Sequence, residues 1–302
     1  MMEASVRLNI SDDGDSEADK EVIGALDALV NGFISPDKAA VYIDTTIAKD
    51  CQEAHVSYTS PSRPSLTSGG EVNRTPSTSG WLKFLWDCIA KSSMAIPFDH
   101  SGQDRLAALL LELQRLPRHD VPELYQGLEQ WLWEIDQGHF TGTRQVETSS
   151  SAATAYMNFS AFIARLFANG IVETSRLCAL IRPSPFALSK PLASTRYSDP
   201  AEAAQHYEPY ASAAAQWILF AGEDLFIMCQ QNVILQVGKQ KWTRALWDSW
   251  KAKFLIIAKA EQFSSQARGF ATRALERIAE TERSKASSTS VVEKFGFMSA
   301  TE

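Results

Sequence analysis

The stretch "ALWDSWKAKF", residues 245–254, places two tryptophans and a phenylalanine within eight positions, among basic residues. On a helix, Trp247, Trp250, Phe254 and Ile257 fall at positions 0, 3, 7 and 10, so they project from one side. The neighbouring lysines lie off that stripe. A platform for nucleic acid would instead expose the aromatic rings among the cations. The spacing therefore predicts a helix whose aromatic side is buried and whose charges are solvated.

The segment that follows repeats the pattern with smaller residues. After a serine N-cap at Ser264 or Ser265, apolar and small residues recur at helical spacing from Ala267 to Ile278. The charged residues between them fall on the other side of this predicted helix. We expect the two helices to form an antiparallel pair, because small residues at the contact allow close approach.

Helix signals continue upstream of this pair, and no segment shows the period-two alternation of a strand. The sequence predicts a helix at Glu21–Phe33, a second helix that starts at Ser35-Pro36, and a third that starts at a capping box of Ser101 and Asp104. It also predicts a helix at 152–168 that is apolar nearly all round. A long helix is expected from Asp199-Pro200 to about Gln231, with a bend near Pro209. The sequence therefore predicts an all-α protein. We expect a single multi-helix domain of about ten helices, arranged as a bundle or an irregular array.

Composition divides the chain into a helical domain at 20–283 and three polar segments. Residues 1–19 are acidic and predict a disordered N-terminus. Residues 57–80 are rich in Ser, Thr, Pro and Gly and predict a long flexible loop. Residues 284–302 predict a flexible C-terminal tail.

The totals exclude several classes of protein. The chain has 302 residues, 45% of them hydrophobic, and a net charge of −7, which disfavours attraction to nucleic acid over the whole surface. No apolar stretch is long enough to span a membrane, and no signal peptide is evident. The four cysteines stand far apart, without metal-ligand spacing. We expect a soluble protein of the cytoplasm or nucleus that binds no membrane.

One short run contains the residue types of a hydrolytic triad, in "FDHSGQD". Residues adjacent in sequence rarely form a triad, because the three side chains must converge from separated backbone positions. We therefore expect Asp99 and Ser101 to cap a helix while His100 lies in the turn. The remaining histidines lack zinc-site spacing, and no glycine-rich phosphate loop is present. The sequence predicts no catalytic residue, no metal and no cofactor.

Charge is distributed unevenly along the chain. Residues 239–285 carry eleven bases and five acids, whereas residues 1–21 carry seven acids and two bases. The candidate interaction surface consists of the basic residues of the last two helices, Lys251, Lys253, Arg268, Arg273 and Arg277. Ordinary solvation of helix surfaces is the alternative interpretation of this cluster.

Three stretches together resemble one family. "LWDSWKAKFLIIAKAEQFSSQARGFATRALERIAETE" (246–282) is similar to the C-terminal signature of a fungal family of helical proteins known as domain of unknown function 3632, with W-x-x-W-x-x-x-F followed by a serine-led helix. Residues 81–117 resemble its tryptophan helix, Asp-His turn and leucine helix, and residues 213–229 its penultimate helix. The resemblance implies an all-α intracellular protein of fungal origin. It supplies no reaction, ligand or catalytic residue.

Three functions remain open at this point. The first is a non-catalytic helical interaction or regulatory protein with an unidentified protein partner. The second is a nuclear regulator of gene expression or growth morphology that binds nucleic acid through the basic C-terminal helices. The third is an enzyme or small-ligand binder with a pocket among the helices, near Trp131, Trp133 or Trp217.

Overall fold

The computed structural model describes residues 3–59, 78–116, 124–136, 150–172, 199–234 and 241–285. Within these ranges the chain forms nine α-helices and no strand, apart from an isolated bridge between Ile234 and Lys241. The helices are α1 (Glu17–Val30), α2 (Pro36–Thr59), α3 (Thr78–Ala95), α4 (Gly102–Arg115), α5 (Leu124–Ile135), α6 (Ser150–Ala168), α7 (Pro200–Gln230), α8 (Arg244–Lys259) and α9 (Ser265–Lys285). The prediction of an all-α protein is confirmed.

Contacts divide the chain into two compact units. The first unit comprises Met1–Ile96 and His100–Trp131, and it contains α1 to α4. The second comprises Pro97–Asp99 and Leu132–Glu302, and it contains α6 to α9.

In the first unit, α1 begins and ends at well-formed caps. Ser16 and Asp19 form a capping box, which starts the helix at Glu17 rather than at the predicted Glu21. At the other end Gly32 adopts φ 76°, and the N–H of Phe33 donates to Ala28 O at 2.8 Å. This is a Schellman motif, in which the left-handed residue is glycine because a Cβ is strained there.

Polar side chains from α4 close the ends of two neighbouring helices in this unit. The Arg105 guanidinium donates to the carbonyl oxygen of Val30, at 2.5 Å from Nη2. The buried Gln103 amide donates to the carbonyls of Ser93 and Ile96, at 3.0 and 2.8 Å. These bonds satisfy carbonyls that a helix end leaves without an intrahelical donor. The leucines of α4 complete the core against α1 and α2.

The N-terminal segment differs from the prediction of disorder over residues 1–19. Leu8 and Ile10 are buried, with 5% and 8% of their surface exposed. The Asn31 side chain accepts from the Val6 N–H at 2.8 Å and donates to the Val6 carbonyl at 2.9 Å. The segment is held because alternate apolar residues reach the core while Asn31 satisfies its backbone. A composition averaged over this largely polar segment of nineteen residues does not reveal these few contacts.

The second unit is built around α6 and α7. Every residue from 156 to 167 is buried, which confirms that α6 is central. The start of α7 is also confirmed, because Asp199 accepts from the Ala201 N–H at 2.9 Å, with proline at the next position. Seven alanines of α7 are buried and allow close packing of its neighbours. Pro209 lies inside this helix.

The aromatic stripe of α8 faces the core, as its spacing predicts. Trp247, Trp250, Phe254 and Ile257 are each at most 3% exposed. Trp242, which precedes the helix, joins them with its ring centroid 5.3 Å from that of Trp250. The aromatic residues of this stretch therefore belong to the core.

The predicted loop at 57–80 is helical at both ends, since α2 extends to Thr59 and α3 begins at Thr78. Its central residues 60–77 lie outside the described residues. The predicted tail at 284–302 begins within α9, and residues 286–302 also lie outside the description.

Candidate functional site

The basic groups around the aromatic stripe converge on one carboxylate. Glu282 of α9 accepts from Arg244 Nη2 at 2.8 Å, from Trp247 Nε1 at 3.1 Å and from Lys251 Nζ at 2.7 Å. Burial raises the pKa of Glu282, but hydrogen bonds from Lys251 and Trp247 outweigh it, so the pKa is lowered. The arrangement joins α8 to α9 and pairs Arg244 and Lys251 with one carboxylate.

The five residues of the predicted basic surface do not share one face. Lys251 binds Glu282, and Arg277 binds Glu223 of α7 at 3.1 Å. Arg268 and Arg277 are nine residues apart, which places them about 180° apart around the helix.

The two remaining residues of that set have different surroundings. Lys253 lines a narrow cleft with Tyr207 and Trp250, where burial lowers the pKa of its amine. Arg273 is exposed, 6.0 Å from the centre of the Phe98 ring. Arg273 and Arg277 are four residues apart and therefore lie on the same side of α9. The interaction surface formed by the five residues stays a prediction.

The Asp-His-Ser run has a structural geometry. His100 is 7% exposed, and its Nδ1 accepts a hydrogen bond from the Gly102 N–H at 2.9 Å. The ring proton therefore lies on Nε2, which donates to the carbonyl oxygen of Ala4 at 3.0 Å. The Ser101 hydroxyl donates to Glu3 rather than to the histidine. Hydrogen bonds from the Ser101 side chain and amide hold the pKa of Glu3 below its ordinary value. No nucleophile–base pair results.

The prediction that Ser101 caps α4 through its side chain is wrong. Its backbone is already helical, with φ −60° and ψ −17°, whereas a side-chain cap needs an extended residue. Instead, His100 accepts a hydrogen bond from Gly102 N–H, one of the backbone amides at the N-terminus of α4. Gly102 makes this possible, because a Cβ there would lie 2.8 Å from His100 Nδ1 and 2.8 Å from Val30 Cγ1.

Within the described ranges, no group of three or more His, Cys, Asp or Glu side chains is placed to hold a metal ion. No helix there has the length and apolar character needed to cross a membrane.

The α2 outer face, which we define as Lys38, Val41, Tyr42, Thr45 and Lys49, is exposed along the helix. These residues recur at helical spacing on the side of α2 opposite its buried residues.

The apolar members of this region are unusually exposed for their size. Val41 and Tyr42 are 52% and 47% exposed, and Phe33, three residues before the helix, is 77% exposed. An aromatic residue after a Schellman motif commonly packs back onto the helix it follows, but Phe33 projects into solvent. This is the largest exposed fraction recorded for a big apolar side chain in the described ranges.

A cavity of about 280 Å³ lies between α6, α7 and the start of α9 in the second unit. It is lined by Ala153, Thr154, Met157, Gln205, Glu208, Pro209, Ser212, Ser264, Gln266, Ala267 and Phe270. The tryptophans proposed from the sequence are absent from this lining, and Trp217 is fully buried against Phe167. The structure therefore places an interhelical pocket elsewhere than the sequence suggested.

Comparison with known proteins gives a match to one family model. The profile of the family described as "Protein of unknown function (DUF3632)" matches residues 86–254. The chain belongs to this family, as the resemblance indicated. No curated protein and no solved structure matches it.

Sequence reasoning missed both the α2 outer face and the true lining of the cavity. A signal for the first was present, because Val41 and Tyr42 stand on the side of α2 away from its other apolar residues. For the cavity lining, the signal is Pro209 within a long helix, where the sequence alone predicts only a bend. The cavity itself needed the packing of three helices that are distant in sequence.

Proposed function

We propose that this chain is a non-catalytic interaction protein and that it binds a partner protein through Phe33 and the α2 outer face. The observation that carries the proposal is the exposure of Phe33, Val41 and Tyr42. Large apolar groups in one region of a surface mark interaction sites. Aromatic anchors of this kind supply much of the binding energy at protein interfaces.

The surroundings of these residues specify the chemistry of the partner. Lys38 and Lys49 lie at the two ends of the α2 outer face. The ion pair of Lys49 with Glu53 spans 3.9 Å between side chains that are 75% and 68% exposed, so it competes weakly with a partner. The proposed partner surface is an apolar patch flanked by acidic side chains, which Lys38 and Lys49 would complement.

The test compares two variants as baits in affinity purification followed by mass spectrometry. The first carries Phe33→Ser, Val41→Ser and Tyr42→Ser. The matched control carries Ile234→Ser and Leu255→Ser, which remove the other large exposed apolar side chains of the described ranges, at 47% and 46% exposure. We expect the control to keep a set of acidic partner proteins that the first variant loses, with both proteins melting near the parent temperature.

Identical sets of retained proteins from the two variants would contradict the proposal. A partner recovered this way must also bind the purified parent chain directly. We expect that binding to weaken at least about tenfold in the first variant, since each buried aromatic or branched side chain contributes roughly 1.5–3 kcal/mol. Equal affinity of both variants would contradict the assignment of the surface.

A nuclear role through the basic C-terminal helices has less support from the geometry. Lys251 and Arg277 already form ion pairs with Glu282 and Glu223. Lys253 lines a narrow cleft, where burial lowers the pKa of its amine. A nucleic-acid site needs cations that track a phosphate backbone. Filter binding of the purified chain to duplex and single-stranded DNA at low salt tests this alternative directly.

Location in the cytoplasm or nucleus remains our prediction. It is supported by Cys51, Cys88 and Cys229, which form no disulfide in the described residues. Imaging of a fluorescent fusion checks it, and accumulation in a secretory compartment would contradict it.

A further inference from the structure

We propose that the cavity between α6, α7 and α9 binds a small organic amine, with Glu208 as the counter-ion of its ammonium group. The cavity lies wholly within the second unit and is independent of the surface proposed above. Its volume of about 280 Å³ is close to the lower end of the range for small-molecule sites.

The charge of the residues that line the cavity indicates the sign of the charge on its ligand. Among the eleven residues that line the cavity, Glu208 is the one ionisable side chain, and no lysine, arginine or histidine is present. Glu208 Oε1 accepts from the Ser264 N–H at 2.5 Å, and in the described part of the chain no basic side chain forms an ion pair with this carboxylate. Within the described residues, the cavity therefore offers one negative charge that lacks a cationic partner.

The backbone of α7 adds an acceptor at the same place. Proline has no N–H, so Pro209 leaves the carbonyl of Gln205 without the donor that a helix normally supplies four residues later. Both residues line the cavity, together with Thr154 and Ser212, whose side chains carry hydroxyl groups. An ammonium group carries three N–H donors, and a carboxylate, a carbonyl and a hydroxyl are the acceptors that it needs.

The rest of the lining suits a hydrocarbon group. Met157 and Phe270 are buried, at 5% and 7% exposure, and Ala153 and Ala267 add further apolar surface. An aromatic face also attracts a cation. The ligand class is therefore a primary amine attached to a short aliphatic or aromatic group, rather than an anion or a sugar.

The experiment measures binding of 2-phenylethylamine and butylamine to the full chain by titration calorimetry and thermal shift. The comparison ligands are 2-phenylethanol and butanol, which have the same skeletons without the charge, and butyrate, which has the opposite charge. We expect the amines to bind at least about tenfold more tightly than the matched alcohols, and the difference to shrink as salt screens the carboxylate.

Two variants test the role of the site. Glu208→Gln removes the charge but keeps an oxygen for the Ser264 N–H, and we expect it to bind the amine no better than the alcohol. Glu202→Gln is the matched control, because Glu202 lies on the same helix, is exposed and does not line the cavity. Ala153→Leu, which fills the cavity from α6, should abolish amine binding without lowering the melting temperature, even where Glu208→Gln folds poorly.

Equal binding of amines and alcohols, tighter binding of butyrate, or full amine affinity in Glu208→Gln would overturn the proposal. So would full amine affinity in Ala153→Leu, because that result would place the ligand outside the cavity.

Discussion

Trp247 donates its indole N–H to the carboxylate of Glu282, 3.1 Å away, across the pair formed by α8 and α9. The same carboxylate accepts from Arg244 and Lys251. A tryptophan that is fully buried is thereby joined to the charged surface of its own helix by a residue 35 positions later. The aromatic and basic residues of the opening stretch thus belong to one structural unit of the fold.

Replacing Glu282 with glutamine should destabilise the protein by about 0.5–1.5 kcal/mol at pH 7, because two ion pairs are lost while an acceptor for Trp247 remains. Bonds from Lys251 and Trp247 lower the pKa of Glu282 against the opposing effect of burial. A carboxyl group whose pKa is lowered by folding stabilises the folded state at pH values above its pKa in the unfolded chain, about 4.3. That stabilisation disappears as the pH falls through the pKa of the group in the folded protein.

The check is the difference in urea midpoint between the parent chain and Glu282→Gln across pH. The difference should be constant above about pH 5.5 and should shrink toward zero below about pH 4. A difference that stays the same down to pH 3 would contradict the electrostatic explanation.

Trp250→Ala should lower the free energy of unfolding by about 3–5 kcal/mol, as large-to-small changes in a core do. Trp250 is 1% exposed and its ring contacts Trp242 and Trp247. Leu255→Ala on the same helix is the control, because Leu255 is 46% exposed and should change stability by about 0.5 kcal/mol or less. Chemical denaturation of both variants decides the point, and equal midpoints would show that Trp250 is not core.

Gly102→Ala should cost about 1–3 kcal/mol, because the new Cβ would meet the Val30 carbonyl oxygen at 3.0 Å as well as His100. Gly24→Ala provides the contrast. Gly24 also lies in a helix but has open space where a Cβ would be, so alanine there should stabilise by about 0.5–1 kcal/mol. Thermal unfolding should shift in opposite directions for the two variants, and shifts of the same sign would be inconsistent with the contacts at Gly102.

Leu8→Ala should lower the free energy of unfolding by about 2 kcal/mol, since Leu8 is buried in the N-terminal segment. Arg7→Ala, at the exposed neighbouring position, should leave stability within about 0.5 kcal/mol of the parent. Equal stability of Leu8→Ala and the parent chain would mean that the segment is disordered, as composition alone suggested.

The buried thiols should resist alkylation in the folded protein. Burial raises the pKa of Cys88 and of Cys229 to about 12, so neither carries thiolate at neutral pH. Cys51 is partly exposed and should react before Cys88 and Cys229. Peptide mapping after iodoacetamide treatment at pH 8 gives the order, and rapid labelling of Cys229 before denaturant is added would count against its burial.

The sequence by itself determined the helical class, the buried stripe of α8 and the caps at Asp199 and Ser264. These features depend on residues three or four positions apart, whose spacing on a helix is set by backbone geometry. Ser264 accepts from the Ala267 N–H at 3.2 Å, as its position before a helical pattern predicts.

Only the tertiary structure decided which charged side chains form ion pairs within the fold and where apolar surface stays exposed. Glu282 meets Trp247 across 35 residues, Asn31 meets Val6 across 25, and Gly102 meets Val30 across 72. No local pattern specifies such pairs, because the distance between them depends on how whole helices pack. The same reason explains why the sequence located neither the α2 outer face nor the cavity at Pro209: each is defined by what the neighbouring helices leave uncovered.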